Sequence, residues 1–251
     1  MTKNRYLATD DRRLFSYRGF WSTFVIGVNS TRLAEAQGEG TSVLLLKGLI
    51  GSLFQVGFVG ATLLVPAMVL RDGDWYWPRA LALLAAWLLL VQIALVVMYL
   101  KSPESLAVRL QSPVGKRERQ PLADTIVTSF LILYLVGWMI FIPVDVFYLE
   151  IFPTPSWSVA LIGGALFVIG YCMSVVVLIQ NQFAAPTVEH QTDHKVIDSG
   201  FYALVRHPFY TALILMFSGM ALWLESWAAL IGIAGLVIVL IARIRVEEAE
   251  L

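Results

Sequence analysis

Two short clusters near the end of this sequence hold the side chains best suited to chemistry. The first is Arg206, His207 and Pro208, with Tyr210 just beyond. Proline fits the first position of a helix, where its missing N–H is not needed, so the triplet is predicted to sit where a loop becomes a helix. The N–H groups from Phe209 onward would then face the loop as an anion site, reinforced by the helix dipole. Arg206 adds a permanent positive charge, and His207 adds a group that titrates near neutrality. Tyr210, three residues after His207, shares its side of the helix. Such an end can grip a carboxylate or a phosphate. The second cluster, about 40 residues later, is Glu247 and Glu248. Arg243 stands four residues before Glu247 and can pair with it, which leaves Glu248 without an explanation. A ligand bridging the two clusters would need both an anionic and a cationic end. S-adenosylmethionine has a carboxylate for the helix start, an amino group and a sulfonium for the glutamates, and an adenine for an apolar wall. The competing reading is that Arg and Tyr here are ordinary anchors at a membrane boundary.

The elements that must position these clusters are long apolar runs. A spanning helix needs about 20 apolar residues to cross about 30 Å of hydrocarbon. Six candidates are present, at about 43–70, 80–100, 122–143, 157–180, 209–224 and 226–242. The last two form a tight hairpin turning at Glu225 and Ser226. That hairpin would return Glu247 and Glu248 to the end where Arg206 and His207 begin. A polar stretch at 181–207 precedes it. Gly163, Gly164 and Gly170 in the fourth run read as a helix-packing face, as do Gly48, Gly51, Gly57 and Gly60 in the first, because small residues let backbones approach.

Basic residues are placed asymmetrically. Residues 1–42 hold six Lys and Arg, and 101–121 hold five. Lys195 and Arg206 lie in the 181–208 connection, and Arg243 and Arg245 in the tail. All four segments fall on one side of a six-span arrangement. The other side has only Arg71 and Arg79, close to Asp72 and Asp74. The positive-inside rule then places both termini and the 181–208 loop in the cytoplasm. Residues 20–28 are apolar but too short to span, and are expected either to lie in the interface or to be a disordered lead-in. The N-terminus does not read as a secretory signal.

Composition agrees and excludes other classes. The chain of 251 residues is 58% hydrophobic and only 14% charged, against about 25% charged in a typical soluble domain. Its formal net charge is zero, which gives no support to a nucleic-acid partner. The single cysteine, Cys172, excludes an intramolecular disulfide and a multi-cysteine zinc site. No dinucleotide fingerprint, P-loop or H-E-x-x-H is present, and no metal site is expected.

The string D-S-G-F-Y-A-L-V-R-H-P-F-Y at 198–210 resembles the D-T-G-P-Y-x-x-V-R-H-P-M-Y signature of bacterial members of the isoprenylcysteine carboxyl methyltransferase family, integral membrane enzymes related to the phospholipid methyltransferases. Asn181, Phe183, Ala184, Ala185 and Pro186 resemble the family's segment just upstream. Arg243, Glu247 and Glu248 match its closing R-x-x-x-E-E. The likeness is specific over 181–251 and looser over 143–145 and the fourth run; the first 120 residues carry no recognised motif. It implies S-adenosylmethionine as cofactor, with contacts at Arg206, His207, Pro208, Tyr210, Glu247 and Glu248. Gly200 and Tyr202 would shape the loop above it, and Arg206, His207 and Glu248 would carry the catalytic work. Phe201 stands where the family has proline. The family's Tyr- and Arg-bearing tail beyond the glutamates is missing from the sequence given.

The sequence is thus expected to be an all-α, polytopic integral membrane protein of about six transmembrane helices, the last two a tight hairpin. Its parts would be a cytoplasmic segment at 1–42, a four-helix membrane region at 43–180 and a catalytic region at 181–251. The expected activity is methyl transfer from S-adenosylmethionine to a lipid-like or membrane-partitioned acceptor, by carboxyl-O or related methylation, with the bilayer as partner. If the source is bacterial, the location would be the inner membrane. Two other readings stay open: a membrane reductase of the sterol-reductase type using NADPH, and a non-catalytic family member without the tail. The sequence leaves the oligomeric state open.

Overall fold

The computed structural model describes residues 41–101, 106, 110, 122–180 and 200–249. The expectations for 1–40, for most of 101–121 and for 181–199 lie outside the described residues, as does the Glu247 side chain. Six apolar helices carry the architecture. They are α1 (Thr41–Leu70), α2 (Pro78–Lys101), α3 (Leu122–Val144), α4 (Trp157–Gln180), α5 (Pro208–Trp223) and α6 (Trp227–Ala249). A π-helical turn, Asp145–Leu149, extends α3, and a 3₁₀ turn, Gly200–Ala203, precedes α5. Five of the helices are long and apolar enough to cross a bilayer, while α5 has only 16 residues. Among the described residues the protein is all-α.

The helices stop and start where backbone chemistry requires. Proline opens α2 and α5. At the far end of α1, Asp72 and Gly73 take left-handed conformations, and the Gly73 N–H bonds the Met68 carbonyl. The turn between α5 and α6 is tighter still. Glu225 is left-handed, its N–H bonds Leu222, and the Ser226 N–H bonds Ala221. This paired closure satisfies the last carbonyls of α5. Ser226 also begins α6: its hydroxyl oxygen accepts the Ala229 N–H at 2.9 Å, the capping role that serine suits. The same hydroxyl donates to Asp145 Oδ2 at 2.6 Å. Arg79 of α2 meets Glu225 at 2.8 Å and donates to the Trp223 carbonyl. Its guanidinium lies over the Trp157 ring at 4.8 Å. Trp75, Tyr76, Tyr148 and Trp157 stand exposed at this end, as aromatic residues do at a membrane interface.

α5 is clasped most closely by α4. The buried positions of α4 are Ala160, Gly163, Phe167, Gly170, Ser174 and Val177, spaced three and four apart in the manner of a helix seam. A Cβ at Gly163 would lie 2.6 Å from the Trp223 nitrogen, and one at Gly170 would lie 2.5 Å from the Met216 nitrogen. Across the seam, a Cβ at Gly219 would lie 2.2 Å from the Phe167 nitrogen. Backbone meets backbone here, as the glycines of the fourth run led us to expect. In α1 the expectation holds for half of the glycines. Gly48 meets Leu95 and Gly60 meets Leu84, but Gly51 and Gly57 have nothing within 4 Å. Only two of the four point at α2, because a helix has more than one face.

α3 and α6 meet along a second, antiparallel seam. Trp138 Nε1 donates to the Ala229 carbonyl at 2.8 Å, and the Tyr134 hydroxyl donates to that of Gly232. Gly232 and Gly235 leave room for these rings against the α6 backbone. Buried Trp87 of α2 packs edge-on against Phe167, which ties the first pair of helices to α4.

The α6 helix runs beyond the expected end at 242, to Ala249. Nothing after Arg243 breaks a helix, and Arg and Glu are good helix formers. The glutamates are therefore on the helix rather than after it.

Replacing Gly170 by Leu sets side-chain atoms against backbone that cannot give. Over-packing of this kind costs about 1–3 kcal/mol, so Gly170→Leu should lower the thermal unfolding midpoint in detergent by several degrees. Gly57→Leu, facing open space, should leave it nearly unchanged. Equal midpoints for the two variants would show that α4 and α5 are not in backbone contact.

Candidate functional site

The far-end turn folds α6 back along α5, and the two chemical clusters meet at the other end. His207 is the N-cap of α5 and Pro208 its first helical residue, as the triplet predicted. The start is sharp. The 3₁₀ turn closes with the N–H groups of Leu204 and Val205 on the Phe201 carbonyl, so no helix begins at Leu204. Gly200 is left-handed, and a Cβ there would strike the Gln180 side chain at 2.4 Å. That contact sets the turn against the end of α4, where Gln180 Oε1 accepts the Phe201 N–H at 3.4 Å. Gly200 itself is exposed, and Tyr202 is half-buried against the core.

His207 is buried at 9% exposure, whereas Arg206 before it is exposed. The His207 ring stacks on that of Tyr210, with centroids 5.7 Å apart and planes 23° from parallel. Pro208 and Phe209 are buried beside them. Glu248 Oε1 of α6 stands 3.6 Å from His207 Nε2. Glu248 is exposed, so one carboxylate oxygen faces the imidazole while the group as a whole remains open to solvent. The N–H groups of Tyr210 and Thr211 both turn to the His207 carbonyl, at 3.1 and 3.3 Å. These two amides are therefore not turned outward as expected, and an anion at the helix start would meet the dipole and Arg206 instead.

Tyr210 is almost fully buried, and its hydroxyl oxygen accepts a hydrogen bond from Arg243 Nε at 3.2 Å. Arg243 is 1% exposed, and its Nη1 donates to the Thr128 hydroxyl of α3. The sequence offered Arg243 as a partner for Glu247, whose side chain lies outside the described residues, and as the arginine of the R-x-x-x-E-E match. Because the expected end of the sixth span preceded Arg243, the residue read as part of a tail. Thr128 was not singled out at all. An uncharged threonine in an apolar run carries no signal of its own; the clue was an arginine too close to the span to be tail.

The structure therefore gathers His207, Pro208, Tyr210 and Glu248, with Arg206 on the rim. Gly200 and Tyr202 sit on the preceding turn. Buried apolar residues, an aromatic stack, a neighbouring cation and an exposed carboxylate thus lie together at this end.

Residues 158–251 match a family model described as phospholipid methyltransferase. In this region the chain is similar to that family. The match begins with α4, so the helix that clasps α5 falls within it, and α1, α2 and α3 fall outside. Comparison with curated proteins and with solved structures finds no match.

Burial holds the His207 imidazole below its ordinary value, and the Arg206 charge acts in the same direction, while the Glu248 carboxylate, 3.6 Å away, opposes both. The folded protein thus holds fewer protons here than the unfolded chain. Stability from this group is fully present above about pH 6.5 and falls as pH drops through the folded value. Removing the Glu248 charge should lower the His207 titration midpoint further. The chain has three histidines, so ring signals can be followed by NMR in Glu248→Gln. An unmoved midpoint would mean that the carboxylate does not act on the ring.

Proposed function

We propose that this protein is an integral membrane methyltransferase that takes its methyl group from S-adenosylmethionine and transfers it to a lipid-like acceptor, as isoprenylcysteine carboxyl methyltransferase-type enzymes do. The observation that carries the reading is the 3.6 Å approach of Glu248 to His207 across two helix ends, in a segment similar to the phospholipid methyltransferases. Arg206 and the start of α5 would hold the carboxylate of the cofactor. Glu248, with Glu247, would face its amino group and sulfonium. Tyr210, Pro208 and Phe209 offer the apolar wall for adenine, and the turn at Gly200 and Tyr202 would cover it. When bound, the cofactor supplies an electrophilic methyl on sulfur. The protein's part is to align donor and acceptor and to keep water out, the kind of positioning that can account for most of such an acceleration. A carboxylate acceptor would already be ionised at neutral pH. An acceptor that must lose a proton could give it to His207, whose imidazole burial biases toward the neutral form.

We assign the catalytic unit to 181–251 and place α4 with it as the clasp. The basic-residue asymmetry supports a cytoplasmic site and cytoplasmic termini.

Alanine at Arg206, His207 or Glu248 removes one charge-assisted contact, worth about 1.5–3 kcal/mol. Each variant should therefore bind labelled S-adenosylmethionine about tenfold to a hundredfold more weakly, with the unfolding midpoint preserved in the exposed Arg206 and Glu248 variants and the protein still folded in the His207 variant. Unchanged affinity in all three would return these residues to an anchoring role. Binding of NADPH instead would identify a reductase.

The acceptor side rests on the length of α5. Its 16 residues rise about 24 Å, less than about 30 Å of hydrocarbon, and the chain breaks before Pro208 rather than continuing the helix. A short helix begins below the bilayer surface or thins it. The first arrangement sets His207 and Tyr210 at interfacial depth, so the acceptor would enter sideways from the lipid and the cofactor from water. Acceptors graded by chain length should then show turnover rising with the chain. A chain-free, water-soluble acceptor methylated equally well would rule out lateral entry.

A further inference from the structure

Arg243 is the side chain that the proposed reaction leaves unexplained. It lies inside α6, almost wholly removed from solvent, among residues of a membrane-spanning helix. A charge at such a place is expensive, and it is kept where it does work with a named partner. Two of its partners lie on other helices. Nε donates to the Tyr210 hydroxyl of α5, and Nη1 donates to the Thr128 hydroxyl of α3. Tyr210 stacks on His207, which faces Glu248. A chain of contacts thus runs from α3 through Arg243 to the centre of the site.

We propose that Thr128 is a positioning residue for this site: its hydroxyl holds the Arg243 guanidinium in the direction from which it fixes Tyr210. The inference rests on the cofactor reading above, and it gives α3, which lies outside the region similar to the phospholipid methyltransferases, a part in the site. Three features carry it. Thr128 is 6% exposed and Tyr210 is 3% exposed, so water does not replace either contact freely. The guanidinium is planar and its donors diverge at fixed angles, so turning one donor away from Thr128 turns Nε away from Tyr210. Trp138 and Tyr134, bonded to the Ala229 and Gly232 carbonyls, already set the register of α3 on α6. Thr128 is therefore not needed to pair the two helices, and its hydroxyl is left with the local task of orienting Arg243.

The test uses the full chain in detergent, with labelled S-adenosylmethionine as the probe. Thr128→Val keeps the shape and removes the hydroxyl; Thr128→Ser keeps the hydroxyl; Leu131→Ala destabilises α3 at a position buried in the same helix. Thr128→Val should weaken binding by about tenfold, the effect of one hydrogen bond to a charged group. Thr128→Ser should stay within about twofold of the parent, and Leu131→Ala should lose unfolding temperature without a matching loss of affinity. Side-chain ¹⁵Nε–¹H NMR of the arginines, with Arg243 assigned by its loss in Arg243→Lys, should show that signal shifted in Thr128→Val and unmoved in Thr128→Ser. Parent-like affinity in Thr128→Val, or a loss that Leu131→Ala reproduces in proportion to its instability, would overturn the proposal. If the parent fails to bind the cofactor, the proposed function falls, and the NMR signal still judges Thr128: an unmoved Arg243 resonance in Thr128→Val overturns the positioning role.

Discussion

The structure depends on a turn of three residues, Leu224, Glu225 and Ser226, made at the end of the molecule farthest from the chemistry. In lipid surroundings every backbone donor and acceptor must find a partner within the protein. This turn manages it by overlapping two solutions. Ser226 closes α5 with its N–H and opens α6 with its hydroxyl oxygen. The hydroxyl proton is taken by Asp145, itself held in the π-helical turn after α3. Glu225 occupies the left-handed position where glycine would be cheaper; that conformation costs an ordinary residue about 1–2 kcal/mol. Glycine could not meet Arg79. The ion pair, partly sheltered by Trp157 and Trp223, ties the hairpin to α2. With the turn fixed in this way, the far ends of α5 and α6 must arrive together, and His207 meets Glu248.

Two seams convert that turn into a defined site. Along α4 and α5 the contact is backbone to backbone, which leaves almost no freedom to slide, because interiors packed this closely deform in steps rather than smoothly. Along α3 and α6 the contact is side chain to carbonyl, from Trp138 and Tyr134. The first seam sets the depth of Pro208 and His207 relative to Gln180 and the turn at Gly200. The second sets the height at which Arg243 emerges between Tyr210 and Thr128. Where apolar burial drives helices together only weakly, as between spans in lipid, small residues and a few polar contacts have to supply the specificity.

The legible part of the sequence was the part written in long patterns or in rigid residues. Apolar runs gave the first five helices within two residues and the start of the sixth, whose end lies seven residues beyond the expected 242. Pro208 gave the start of α5. Gly163 and Gly170 gave the α4 seam, and the short spacing at Glu225 and Ser226 gave the hairpin that brings Glu248 to His207. What stayed hidden depends on direction around a helix, which composition does not record. Gly51 and Gly57 looked like Gly48 and Gly60 until their facing was known. Arg243 read as the first residue of a tail because the hydropathy signal fades where charge begins, although the helix continues. Thr128 was invisible for the opposite reason: a threonine hydroxyl in a span ordinarily bonds its own helix's carbonyl, as Thr62 does with Val59. Asp145 entered only as part of the looser likeness at 143–145, and its partner 81 residues away could not be named from one sequence.

These hidden contacts share a direction. Asp145 to Ser226 and Thr128 to Arg243 both run from α3, or the turn that extends it, to α6 or the turn that begins it. Both also run from a part of the chain outside the region similar to the phospholipid methyltransferases to a part inside it. One lies at each end of the same pair of helices. The arrangement lets α3 act as a brace against which α6 is held at its start and again near its finish. A hairpin of α5 and α6 clasped by α4 alone would fix the approach of His207 and Glu248 from one side only. The brace supplies the other side, through polar contacts whose strength is greatest where water is excluded. The N-terminal helices, which carry no recognisable chemical motif, are on this view part of what holds the site in register.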